Sequence, residues 1–92
     1  LVKLQESLLD NAATMLKSGG LLVYAVCSFL REENEEQIAK FLARHSDYKV
    51  QKINIVSLKE FITPEGFIKI FPAETLDFGA VEGFFIAQLQ KK

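Results

Sequence analysis

The sequence predicts an α/β fold, and three stretches carry that reading. An amphipathic segment closed by Gly19-Gly20 runs directly into residues 21–27, Leu-Leu-Val-Tyr-Ala-Val-Cys, which are apolar at every position. A second segment grades from acidic to basic as a surface helix does, and residues 83–89, Gly-Phe-Phe-Ile-Ala-Gln-Leu, form another apolar run near the end of the chain. Unbroken apolar runs suit strands covered on both faces, as in a parallel sheet between helices.

The elements follow in order. Leu1, Leu4, Leu8, Ala12, Met15 and Leu16 recur at three- and four-residue steps, with Lys3, Glu6, Asp10, Asn11 and Lys17 on the other faces, which predicts a helix over 2–17. Lys17 would place a cation in its last turn, and Gly19-Gly20 would supply positive φ beyond it. The strand over 21–27 comes next. Over 31–45, Glu32, Glu33, Glu35 and Glu36 precede Lys40 and Arg44, an order that complements the helix dipole. Ile38, Phe41, Leu42 and His45 form its buried stripe, and Ser28 lies upstream where a hydroxyl could cap backbone N–H groups. Alternation at Tyr48, Val50, Ile53 and Ile55 predicts a strand near 48–54, with the register broken at Lys52-Ile53. Pro64-Glu65-Gly66 makes a turn, residues 67–71 form a short strand ended by Pro72, residues 73–82 read as a loop, and 83–89 is the last strand. The crossover from 21–27 through the second helix to a neighbouring strand should be right-handed.

Composition narrows the function classes. The 92 residues are 49% hydrophobic and carry 11 Lys+Arg against 12 Asp+Glu, so the chain has no basic footprint with which to bind nucleic acid unaided. One cysteine and one histidine provide no tetrahedral metal set and no internal disulfide, which fits a reducing compartment. No apolar run approaches the roughly 18 residues of a membrane helix, and residues 1–4 lack a signal-peptide pattern. Without an initiator Met, and with apolar strands that each want two covered faces, the chain reads as a piece of something longer: one partial domain over 1–92.

Cys27 ends the most apolar strand, where an open α/β sheet collects its chemistry. Helix N-terminal N–H groups favour a nucleophilic thiolate nearby, whereas Glu32 and Glu33 oppose it. A buried structural cysteine is the competing reading. His45 reads as a structural histidine, and Phe41, Phe84 and Phe85 as core aromatics.

The segment Leu16-Lys17-Ser18-Gly19-Gly20-Leu21-Leu22-Val23-Tyr24-Ala25-Val26-Cys27-Ser28, then Arg31-Glu32-Glu33-Asn34-Glu35 and Glu82-Gly83-Phe84-Phe85-Ile86-Ala87, resembles the C-terminal part of the Sun/Fmu (RsmB-like) family of RNA cytosine-5 methyltransferases. The resemblance implies the last portion of a Rossmann-like sheet, with 21–27, 48–53 and 83–89 as its fifth, sixth and antiparallel seventh strands. It implies Cys27 as the nucleophile that attacks C6 of cytosine, with Ser28, Glu33 and Asn34 supporting its turn. It also implies S-adenosylmethionine as cofactor, RNA as partner and a cytoplasmic location. The chain departs from the family in Val26 where Thr is usual, in Pro72-Ala73 where Pro-His is frequent, and in Glu82 where Asp is frequent. The Gly-rich cofactor loop, the acidic ribose ligand and the second cysteine of the Pro-Cys motif are not in these residues, so the chain alone is expected to be inactive. The other class of function is a non-catalytic α/β module that pairs its strand edge and helix faces with a partner or with itself. An in-frame upstream Gly-rich loop and Pro-Cys motif would favour the enzyme, and a start codon near Leu1 the module. Either way, the edge at 21–27 and the stripe Leu4, Leu8, Met15 should be partly uncovered in a monomer.

Overall fold

A computed structural model describes residues 1–28, 30–70 and 83–92. Helix α1 (Val2–Ala13) leads through a turn into strand β1 (Leu21–Val26). A 3₁₀ turn (Arg31–Glu33) and helix α2 (Glu35–Arg44) follow, then strand β2 (Tyr48–Val50). A second 3₁₀ segment (Val56–Phe61) precedes strand β3 (Ile68–Ile70), and β4 (Phe84–Lys91) closes the sheet.

The last strand is the centre of the sheet. β4 pairs antiparallel with β1 along its length, from Leu21 opposite Gln90 to Val26 opposite Phe85. On its other side it pairs with β2 at Leu89–Lys91 and with β3 at Phe84–Ile86, both antiparallel. β1 and β2 therefore run parallel on opposite sides of β4, and the crossover through α2 skips over the position that β4 fills instead of reaching a neighbour.

The apolar run at β1 is covered on one face only, the partly uncovered edge expected of a monomer, and the described residues do not supply the second cover its sequence suits. Tyr24 is buried and Leu22 and Val26 partly so, while Leu21 and Val23 stay 49% and 56% exposed. Both helices lie on the Tyr24 face, where Leu9, Ala13, Ile38, Phe41, Tyr48, Phe85, Ala87 and Leu89 make one core. In β4 the alternation is complete: Phe85, Ala87 and Leu89 are sealed from solvent, as a central strand requires.

Helix α1 differs from its expected form in length and in face. It stops at Ala13, four residues short of Lys17, because Thr14 turns its hydroxyl back to the Asn11 carbonyl at 2.7 Å and the next amide, Met15, bonds the Ala12 carbonyl in a tighter turn. Leu9 and Ala13 face the core, whereas Leu4, Leu8 and Met15 of the apolar stripe are 58%, 59% and 79% exposed. Those exposures are the uncovered stripe expected of a monomer. Gly19 takes φ 85° and its amide donates to the Lys91 carbonyl at 2.7 Å, which seats the start of β1 against the end of β4.

The second helix is split. Asn34 leaves helical geometry at φ −112°, ψ −107°, separating the 3₁₀ turn from α2. Its face holds as read, with Ile38 and Phe41 buried and Leu42 and His45 half-buried. Tyr48 donates its hydroxyl to the Ala13 carbonyl at 2.8 Å, and His45 stacks on Phe41 at 4.5 Å between centroids. β2 is shorter than 48–54: after Val50 the chain turns away from β4, and the Ile53 amide bonds the Gly66 carbonyl. The Pro64-Glu65-Gly66 turn is present, closed by the Gly66 amide on the Thr63 carbonyl at 2.9 Å. Lys69 on β3 reaches Glu35 at 2.8 Å, an ion pair that fastens β3 to the start of α2. The predicted loop at 73–82, the strand end at Pro72, and the departures at Ala73 and Glu82 lie outside the described residues. Among the described residues no helix is long and apolar enough to cross a membrane.

Candidate active-site turn

The turn after β1 begins at Cys27, which is exposed. β1 brings it there because the pleat that buries Tyr24 and half-buries Val26 turns Ala25 and Cys27 the other way. Cys27 does not stand directly ahead of a helix, as its sequence context suggested. Residues 28–34 intervene before α2, and the nearest helical turn is the 3₁₀ turn Arg31–Glu33.

The side chains expected to support the turn occupy graded positions around it. Ser28 accepts a hydrogen bond on Oγ from the Leu30 amide at 3.1 Å, closing a local turn instead of capping α2. Asn34 is fully buried, and its Nδ2 donates to the Ser28 carbonyl at 3.0 Å. Asn34 Oδ1 is buried without a partner among the described residues. Glu33 is buried and takes part through its backbone, its carbonyl accepting the Tyr24 hydroxyl at 2.7 Å. The structure thus gathers Ser28, Glu33 and Asn34 around the loop that follows Cys27, and adds Tyr24 to them.

Tyr24 is the residue the sequence reading passed over, because it sits inside an apolar run and reads as packing. The available signal is chemical: a tyrosine on a strand face that is to be buried must find a partner for its hydroxyl. Burial, and then the nearby charge of Glu33, pushes its phenol up to about 12, so the hydroxyl remains a donor.

Two shallow cavities flank this region. One of about 320 Å³ lies between α2 and the turn before β3, with Arg31, Glu36 and Glu65 at its rim and Ile38, Leu42 and Phe67 on its walls. The other, about 300 Å³, is an apolar groove between α1 and β1 lined by Leu8, Ala12, Leu22 and Val26. Neither has the form of a dinucleotide or adenosyl cradle, which needs glycines at a strand's carboxyl end. The described glycines with positive φ, Gly19 and Gly66, stand before β1 and before β3. These residues therefore do not fit S-adenosylmethionine by themselves. Among the described residues no group of three or more His, Cys, Asp or Glu side chains could hold a metal ion.

Comparison with known proteins locates the chain. The family profile described as 16S rRNA methyltransferase RsmB/F matches residues 1–90. The chain is 38% identical over 95% of its length to ribosomal RNA small subunit methyltransferase F of Cronobacter sakazakii. It is 42% identical over its whole length to ribosomal RNA small subunit methyltransferase B of Photorhabdus laumondii. It spans 18% and 19% of those two relatives. Among solved structures, NSun6 from Pyrococcus horikoshii with SFG superposes at a TM-score of 0.75 and 32% identity, covering 98% of this chain and 22% of that one. A methyltransferase homolog protein from the same organism superposes at 0.72 and 29% identity, covering 99% of this chain and 31% of the other. The antiparallel sheet with its helices is thus part of a Rossmann-like α/β fold.

Proposed function

The chain belongs to the 16S rRNA methyltransferase RsmB/F family, and from that premise we propose that it is the C-terminal portion of the catalytic domain of an RNA cytosine-C5 methyltransferase, with Cys27 as the nucleophile. One observation carries the reading. Cys27 stands exposed directly after β1, on a turn held from beneath by Asn34 and Glu33.

In the proposed reaction the Cys27 thiolate adds to C6 of a cytosine that has been unstacked to reach it. The new C–S bond moves electron density to C5, which is otherwise a poor nucleophile, so one difficult step becomes two easier ones. S-adenosylmethionine would be held by the rest of the protein, where it would supply the methyl group to C5 and leave as S-adenosylhomocysteine. A base outside this chain removes the C5 proton, the C–S bond breaks, and the thiolate returns to Cys27 as the ring is restored. The names of the relatives support ribosomal RNA as substrate, and the structural neighbour with SFG, an S-adenosylmethionine analogue, supports the cofactor. The reading includes a cytoplasmic location, where ribosomal RNA is made accessible, and an inactive isolated chain, because these residues hold no cofactor cradle.

The test is C5 methylation of unmodified small-subunit ribosomal RNA by the full-length protein, read by bisulfite sequencing. Cys27→Ala is expected to lower the methylation rate by at least about a thousandfold. Methylation retained within about tenfold of wild type contradicts the assignment.

A further inference from the structure

The turn that carries Cys27 is tied down on both sides of the cysteine. Three residues before it, Tyr24 donates its hydroxyl to the Glu33 carbonyl at 2.7 Å. One residue after it, the Ser28 carbonyl receives Asn34 Nδ2 at 3.0 Å. Glu33 and Asn34 are adjacent, so the two bonds clasp a single stretch of backbone to both ends of the turn. Tyr24 at 7% exposure and Asn34 at 0% are both buried, which shields the Tyr24 bond from solvent and the Asn34 bond to half-buried Ser28 in part.

Packing alone does not call for the hydroxyl. The Tyr24 ring stands edge-on to Phe85 with centroids 6.3 Å apart, a contact that a phenylalanine would make equally well. A hydroxyl under a sheet face is costly unless it meets an acceptor. This one meets the carbonyl immediately preceding the residue that grips Ser28.

We propose that Tyr24 is a positioning residue for Cys27. Its hydroxyl fixes the Glu33–Asn34 backbone, Asn34 then fixes the Ser28 carbonyl, and the cysteine between these anchors is held in one attacking geometry. The inference rests on Cys27 being the nucleophile. Displacements well under the length of a bond alter reaction rates when the reacting atoms must be aligned.

The experiment uses the full-length protein and an RNA carrying 5-fluorocytosine, and measures the rate of covalent adduct formation, RNA affinity and thermal stability. Tyr24→Phe is compared with Tyr48→Phe, which removes another buried hydroxyl, bonded to the Ala13 carbonyl at 2.8 Å, from the part of the core beside α1 and β2. The expected result is an adduct rate about tenfold lower for Tyr24→Phe with RNA affinity unchanged, and a wild-type rate for Tyr48→Phe at a similar loss of stability. Adding Asn34→Ala to Tyr24→Phe should slow the reaction no further than the slower single variant, since both act on one clasp. An adduct rate for Tyr24→Phe equal to wild type, or lowered no more than that of Tyr48→Phe, overturns the proposal. A wild-type protein that forms no adduct through Cys27 overturns the nucleophile assignment itself, so the two failures are told apart.

Discussion

At Gly66 the backbone takes φ 96°, and a Cβ built there would lie 2.5 Å from Lys52 Cγ and 2.8 Å from Lys52 Cα. Gly19 has a similar φ of 85°, yet a Cβ there would meet nothing within 4 Å. The two positions separate conformational strain from crowding. Gly19→Ala is expected to cost about 1 kcal/mol, the left-handed penalty alone. Gly66→Ala adds a clash with backbone and should cost about 3 kcal/mol. Denaturant unfolding of the two variants measures both, and equal losses would contradict the role given to Lys52. The turn itself was legible, since Pro-Glu-Gly has the chemistry of one. The partner was not, because Lys52 meets Gly66 only once β2 has left β4 and brought the chain back. Tyr24 shows the same limit at the candidate site: Cys27, Ser28, Glu33 and Asn34 are named there by resemblance, whereas a hydrogen bond spanning nine residues is set by how β1 and the 3₁₀ turn pack.

Between elements, the contact of α1 with α2 is made by charge as well as by Leu9 and Phe41. Asp10 Oδ1 receives Arg44 at 2.9 Å and His45 Nε2 at 2.8 Å. Burial acts to raise the Asp10 carboxyl, but the hydrogen bonds from His45 and Arg44 outweigh it and hold the group below its ordinary 3.8. A carboxyl lowered on folding adds stability that is present above the unfolded value and is lost as pH falls through the folded one. Melting temperatures of wild type and Asp10→Asn should therefore differ at pH 6 and converge as the pH falls through the lowered Asp10 value. A difference that persists unchanged to pH 2 would contradict the clasp. The period of α2 was legible because its buried stripe, Ile38 and Phe41 with Leu42, is also its most apolar side. The uncovered stripe of α1 was legible too, but its inward face was not, because Leu9 and Ala13 lie off the most apolar side and only the position of β1 decides that they turn inward.

At the scale of the whole molecule, the strand order β1-β4-β2 leaves the outer edge of β1 unpaired among the described residues, beside the exposed Leu4, Leu8, Leu21 and Val23. An open edge next to apolar surface is a site for pairing. The 92-residue chain is expected to self-associate in light scattering at high concentration, and Leu8→Lys with Val23→Lys to shift it toward monomer. A monodisperse wild-type monomer would contradict that expectation. The α/β class and the antiparallel last strand were legible from composition and resemblance. So was the uncovered side of β1, expected because apolar strands in so short a chain cannot all be covered on both faces. The chain spans about a fifth of the length of these relatives.

In the proposed reaction Cys27 makes the covalent bond to cytosine. The most direct measurement traps the full-length protein on RNA containing 5-fluorocytosine in the presence of S-adenosylmethionine, digests the complex and identifies the modified peptide by mass spectrometry. The nucleotide is expected on Cys27, and no adduct from Cys27→Ala. An adduct mapped to another residue, or one that survives Cys27→Ala, would contradict it.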